Sequence, residues 1–489
     1  MRPPVFAAVL ACAAAVLLGG CTERSTPASP RTLALSPCRL GTPGKGEPVE
    51  ARCGRLAVWE DWHSRRGKQL SLRVAVIPAT GRTPAPDPLF LLAGGPGQAA
   101  TEAFPATLAA FARVNRTRDL VLVDQRGTGG SGALRCPSAQ QSLTLAEVQA
   151  AVGRCARTLR VDPRFYLTPA AVADLDAVRA ALGYQRINLY GASYGSRVAL
   201  DYLRTHGAYA RTAILDGVVP TDWNLGETAA TDAQRALDHL FGRCRADAEC
   251  RGAFPNLEEE FAALFTRLGV RRLPLAVAQP ATGAPLPLVI DRDGLAGTVR
   301  LLSYTAETAA LLPLLIHQAH SRNDYAPLAV QARLVGGELS DGFSDGLYYA
   351  VTCAEDAPFL DRRSLAASAK GTYAGVAAAA SVLACAAWPG PPAERTFKAP
   401  VRSAVPVLML SGAADPVTPP ANAERAGRTL ANSRALVAPG QGHIVAVRGC
   451  APQLIDRFVQ AGSFADFDGS CLARTAPTPF FIDFAGPAP

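Results

Sequence analysis

The sequence predicts an α/β protein built on an open, mostly parallel sheet flanked by helices, and three observations carry that reading. Short continuous apolar runs at Leu89–Leu92, Leu120–Val123, Ile187–Tyr190 and Ala213–Leu215 end abruptly in polar or glycine-rich segments, as buried parallel strands do when their C-terminal loops form a rim. Helical spacing separates some of them, as in Asp174, Leu175, Ala177, Val178, Ala181 and Leu182. After a long stretch without such runs, the pattern returns at Val405–Leu410 and Ala435–Val437. One sheet is therefore divided by an insertion.

The bulk properties set the scale. A chain of 489 residues with 49% hydrophobic content can form two or three domain-sized units, or one large domain carrying a long insertion. The net charge of +8 comes from scattered arginines, with Lys only at 45, 68, 370 and 398. Without a basic block, no nucleic-acid partner is expected.

At the N-terminus, Arg2 precedes an apolar run from Val5 to Leu18 that is too short to remain as a membrane-spanning helix. Residues 1–20 read as an export signal. The run ends Leu17-Leu18-Gly19-Gly20-Cys21, which resembles a bacterial lipobox, where Cys21 would carry a lipid anchor into the membrane. Ordinary signal cleavage nearby, with secretion, is the alternative. Residues 21–37, rich in Ser, Thr and Pro, read as a solvated tether. Setting aside Cys12 and Cys21 leaves ten cysteines, and sequence neighbours in an oxidising compartment suggest Cys38–Cys53, Cys136–Cys155, Cys244–Cys250, Cys353–Cys385 and Cys450–Cys471. There is no C-x-x-C pair, and His317 and His320 lack an evident third ligand, so neither metal nor cofactor is expected.

In order, Leu56–Trp59 and Leu70–Ile77 read as a hairpin. The run at Leu89–Leu92 leads into Gly94-Gly95-Pro96-Gly97, and that at Leu120–Val123 into Asp124-Gln125-Arg126-Gly127-Thr128-Gly129. Neither loop has the spacing of a phosphate-binding motif, and Arg126 is expected to pair with a nearby carboxylate. The segment 221–400 is read as a largely helical cap, with Phe261, Leu264 and Leu268 and then Leu311, Leu314 and Leu315 at helical spacing. The sheet domain is thus expected in two segments, 38–220 and 401–489.

Between the third and fourth apolar runs lies Gly191-Ala192-Ser193-Tyr194-Gly195, a G-x-S-x-G with a strand before it and helix-spaced Val198, Leu200 and Tyr202 after it. Strand, sharp turn and helix expose a serine hydroxyl, and small residues on either side let the two elements approach. A nucleophilic serine needs a base, an acid to orient that base, and donors for an oxyanion. Of six histidines, only His443 follows an acid at the end of a late strand. Asp415 is that acid, and Asp216, one strand earlier, is the second candidate. Oxyanion donors are expected from the N–H of Tyr194 and from Gly95, whose following Pro allows a cis turn.

These motifs together resemble the prolyl and tripeptidyl aminopeptidase branch of the α/β-hydrolases, across most of the chain after about residue 50. The resemblance implies an α/β-hydrolase fold with a mostly parallel eight-stranded sheet and a serine exopeptidase that releases short peptides or single residues from a free N-terminus. Ala93 stands where many prolyl aminopeptidases have His, which favours the tripeptidyl branch. The resemblance further implies that Glu355 and Asp356, within Val351-Thr352-Cys353-Ala354-Glu355-Asp356, hold the substrate amine from the cap. A carboxylesterase on the same residues is the alternative function, and a non-catalytic surface binding protein is a third.

Overall fold

The computed structural model describes Met1 and residues 33–41, 47–136, 145–278, 282–340 and 342–487. The lipobox and Cys21 lie outside the described residues.

The sheet contains nine strands rather than eight. In chain order the strands are β1 (Ser36–Leu40), β2 (Val49–Trp59), β3 (Gln69–Ile77), β4 (Leu89–Leu92), β5 (Leu120–Val123), β6 (Ile187–Ala192), β7 (Ala210–Asp216), β8 (Leu273–Ala278), β9 (Pro285–Ile290), β10 (Val407–Gly412) and β11 (Ser433–Ala438). The main sheet runs β1-β2-β3-β5-β4-β6-β7-β10-β11. Its first three pairings are antiparallel and the remaining five are parallel. The extra strand is β1, which begins inside the segment read as tether and pairs Cys38 with Ala51. Its only apolar signal is the Leu40 side chain, because an edge strand with one exposed face needs little more.

Side-chain alternation along the strands divides the core into two layers. On one face Phe90, Leu92, Leu189, Leu215 and Met409 pack with Leu175 and Val178 of the helix Thr168–Ala181 and with Val198 and Tyr202 of the helix Tyr194–His206. On the other, Leu89, Leu91, Tyr190, Ile214 and Leu410 pack with Leu454, Ile455 and Phe458 of the helix Ala451–Ala461. Each of those three residues is fully buried, which contributes about 1.5–3 kcal/mol apiece.

The chain leaves the sheet after β7 and returns at β10. The intervening segment is mainly helical, and Phe261, Leu264, Leu268, Leu314 and Leu315 fall in its own core as their spacing predicts. Two features depart from expectation. β8 and β9 form a separate antiparallel hairpin, and the helix Asp345–Glu355 inserts Leu347, Ala350 and Val351 into the core of the sheet domain. The inserted segment is thus anchored by a helix of its own that joins the core layer of Phe90, Leu189 and Val198. All five expected disulfides are formed. They fit a protein exported to an oxidising compartment. Among the described residues no single helix is long and apolar enough to cross a membrane, and no group of three His, Cys, Asp or Glu could hold a metal.

Candidate active site

Ser193 sits between β6 and the helix Tyr194–His206 with φ 53° and ψ −122°. This is a strained conformation for a residue with a side chain. The turn is possible because of its flanking glycines. A Cβ on Gly191 would stand 2.3 Å from the Gly195 carbonyl oxygen, and one on Gly195 would stand 2.2 Å from that of Leu92. The Ser193 N–H donates to the Asp216 carbonyl at 2.8 Å, which ties the turn to the end of β7.

The loop after β10 presents Asp415 and the loop after β11 presents His443. Their side chains meet at 2.8 Å, Nδ1 to Oδ2. Asp415 is fully buried, and its Oδ1 accepts the backbone N–H groups of Val417 and Thr418. Burial opposes its charge, yet the charge and hydrogen bond of His443 and the Thr418 donors pull its pKa down to about 2. Burial likewise works against a charged His443, but the charge and hydrogen bond of Asp415 outweigh it and raise the imidazole above its ordinary range. With a carboxylate accepting at Nδ1, the tautomer leaves Nε2 as the free acceptor.

Of the two candidate acids, the structure pairs Asp415 with the ring. Asp216 instead accepts the N–H groups of Val445 and Ala446 and the Tyr190 hydroxyl. It holds the loop that follows the histidine. Burial pushes its pKa up to about 6, with those donors opposing.

Ser193, His443 and Gly95 line one cavity of about 730 Å³, which Arg300, Tyr304, Phe343 and Tyr348 of the inserted segment also line. The glycine loop after β4 touches the serine directly: a Cβ on Gly94 would lie 3.0 Å from that of Ser193. The Gly95–Pro96 peptide is cis. Tyr194 begins the helix after the elbow, with its ring buried and its hydroxyl 2.8 Å from Thr168 Oγ1.

Glu355 and Asp356 are not brought to this cavity. Both are buried and engaged by protein partners, so the structure does not set these expected amine-holding carboxylates in the lining of the chamber. Glu355 accepts the N–H and the hydroxyl of Thr168 at 2.7 and 2.8 Å. Asp356 takes both Nη atoms of Arg197 at 3.0 and 2.9 Å, and Lys398 lies 3.5 Å away. Arg197 is on the first turn of the elbow helix, so these carboxylates clamp the cap onto the element that positions Ser193. Arg126 pairs as expected, with Asp174 at 2.7 and 2.6 Å.

Sequence reading missed two contacts at the site. Thr418 donates to Asp415 Oδ2 at 2.7 Å and lies 3.0 Å from His443 Nδ1. The Asp-Pro-Val-Thr run is a turn signal that could have pointed to it. Tyr304 packs its ring edge-on to His443 with centroids 5.7 Å apart, and no local pattern marks it.

The strand order, with the elbow between β6 and its helix and the acid and histidine on the loops after β10 and β11, makes this an α/β-hydrolase fold. More narrowly, its sequence is similar to tripeptidyl aminopeptidases and their relatives. The family profile described as TAP-like protein matches residues 371–471. The chain is 28% identical to serine protease Hip1 of Mycobacterium tuberculosis, over 93% of this chain and 94% of that one. It is 24% identical to a tripeptidyl aminopeptidase of Streptomyces lividans, over 88% and 86% of the two chains. Carboxylesterase B of Mycobacterium tuberculosis is 27% identical, over 83% and 84%.

Proposed function

We propose that the chain is a serine hydrolase acting on peptides, with Ser193 as nucleophile, His443 as general base and then acid, and Asp415 as the orienting carboxylate. The observation that carries this reading is the His443–Asp415 pair at 2.8 Å opening onto the chamber that Ser193 lines. Ser193 Oγ attacks the scissile carbonyl carbon while His443 Nε2 takes the hydroxyl proton. The carbonyl oxygen becomes an oxyanion met by the N–H groups of Tyr194 and Gly95. Collapse breaks the C–N bond, and His443 returns the proton to the leaving amine. Water, deprotonated in turn by His443, releases the acid from the acyl-enzyme.

The relatives named serine protease and tripeptidyl aminopeptidase support a peptide substrate. A chamber of about 730 Å³ suits a short terminal segment better than a folded chain, and the tripeptidyl aminopeptidase relative supports release of short peptides or single residues from a free N-terminus. The carboxylesterase relative supports the second reading, an esterase on the same residues. The export signal over 1–20 and a lipid anchor on Cys21 complete the proposal, placing the enzyme at the membrane on the outer side or, with ordinary cleavage, in the medium.

Peptide anilides with free and acetylated N-termini, assayed beside p-nitrophenyl esters, test it. Free-amine peptides should turn over fastest, and Ser193→Ala should abolish hydrolysis and fluorophosphonate labelling. Equal turnover of free and acetylated peptides would overturn the exopeptidase reading, and turnover of esters alone would select the esterase.

A further inference from the structure

Two arginines line the chamber that contains Ser193 and His443, and they are in opposite situations. Arg448 is held by Glu307, which engages both of its Nη atoms. Arg300, in the last turn of the helix Arg292–Leu302, has no carboxylate within ion-pair distance among the described residues. Its Nε is sealed from solvent without a hydrogen-bond partner. The nearest ring, that of Tyr304, has its centroid 5.8 Å from the guanidinium carbon.

The surrounding acids are already committed. Asp415 accepts from Val417, Thr418 and His443. Asp232 accepts the Thr228 hydroxyl and faces Arg235 at 3.9 Å. Among the described residues, none that lines the chamber is an aspartate or glutamate. A guanidinium keeps its charge at any physiological pH, and one drawn partly out of water, with Asp415 and Asp232 near but not in contact, still gains from a direct counter-ion. Its fork of N–H donors matches the two oxygens of a carboxylate.

We propose that Arg300 is a specificity-determining residue that receives a carboxylate of the molecule bound beside Ser193. The assignment rests on the peptide-hydrolase reading for its substrate class. The carboxylate is either the C-terminus of a short peptide or an acidic side chain, since both offer the same planar anion. The chamber therefore selects by negative charge at one point, where the sequence had suggested selection by a positive amine held on carboxylates.

Equilibrium binding to Ser193→Ala protein tests this without requiring turnover, so failure of the hydrolase reading leaves the measurement intact. The probes are two matched pairs: trialanine as free acid and as amide, and Ala-Ala-Glu-amide with Ala-Ala-Gln-amide. At least one pair should favour the carboxylate by about tenfold or more, and the discriminating pair identifies its source. Adding Arg300→Gln should reduce that ratio to about one. Arg300→Lys keeps the charge but not the fork and should give an intermediate ratio; it also serves as the test if the glutamine variant does not fold. Equal affinity within both pairs, or a preference that survives Arg300→Gln or is unchanged in Arg300→Lys, overturns the proposal.

Discussion

The carbonyl oxygen of Tyr304 accepts the backbone N–H of His443 at 2.6 Å, so a residue of the inserted segment fixes the loop that carries the candidate base. The contact leaves no room for a side chain on the neighbouring residue. A Cβ on Gly442 would stand 2.3 Å from that same oxygen, and backbone cannot swing aside as a side chain can. Gly442→Ala should displace His443 and lower kcat by more than about tenfold, since small misplacements of a reacting group are expensive. Ester hydrolysis with unchanged kcat would show that the loop has slack.

Thr418 shares Asp415 Oδ2 with His443. Removing its hydroxyl in Thr418→Val takes away a hydrogen bond to a charged group, about 1.5–3 kcal/mol, while the two backbone donors remain. The expected outcome is a kcat reduced by about 10- to 100-fold with little change in KM. A change confined to KM would assign Thr418 to substrate contact instead.

The pH profile should carry the mark of the Asp415–His443 pair. His443 must be neutral to accept a proton, and its pKa is raised above 6.5, because Asp415 outweighs the opposing effect of burial. The acid limb of kcat/KM therefore rises through a midpoint above 6.5. Asp415→Asn should move that midpoint down and lower the rate sharply. A limb centred below 6.5 in the unmodified enzyme would contradict the pairing.

Glu355 offers a stability test of the clamp beneath the elbow. Burial pushes its pKa up to about 7 from 4.5, against the pull of Arg197 and Thr168. A raised folded-state pKa means that its contribution is fully present below 4.5 and is lost as pH rises through 7. The difference in Tm between Glu355→Gln and the parent should therefore shift toward the variant between pH 4.5 and 8. A constant difference would mean that the carboxyl does not titrate in that window.

Much of the site was legible before any coordinates because it is written in contiguous residues. The elbow needs small residues at 191 and 195 for steric reasons that span five positions. The neighbour-paired cysteines join residues separated by only 6 to 32 positions. β1 was hidden, since an edge strand with one buried leucine resembles a polar tether.

What the sequence alone determined was the α/β class, Ser193 on its elbow, His443 as the base and a choice of two acids, all of which follow from local periodicity, backbone sterics and order along the chain. Only the tertiary structure decided that Asp415 and not Asp216 meets the ring, that Glu355 and Asp356 are buried partners of Thr168 and Arg197, and that Arg300 lines the chamber with its Nε unpartnered. The physical reason is separation along the chain. Arg197 and Asp356 are 159 positions apart, and nothing in either neighbourhood tells a carboxylate whether it will meet a substrate amine or an arginine of its own protein.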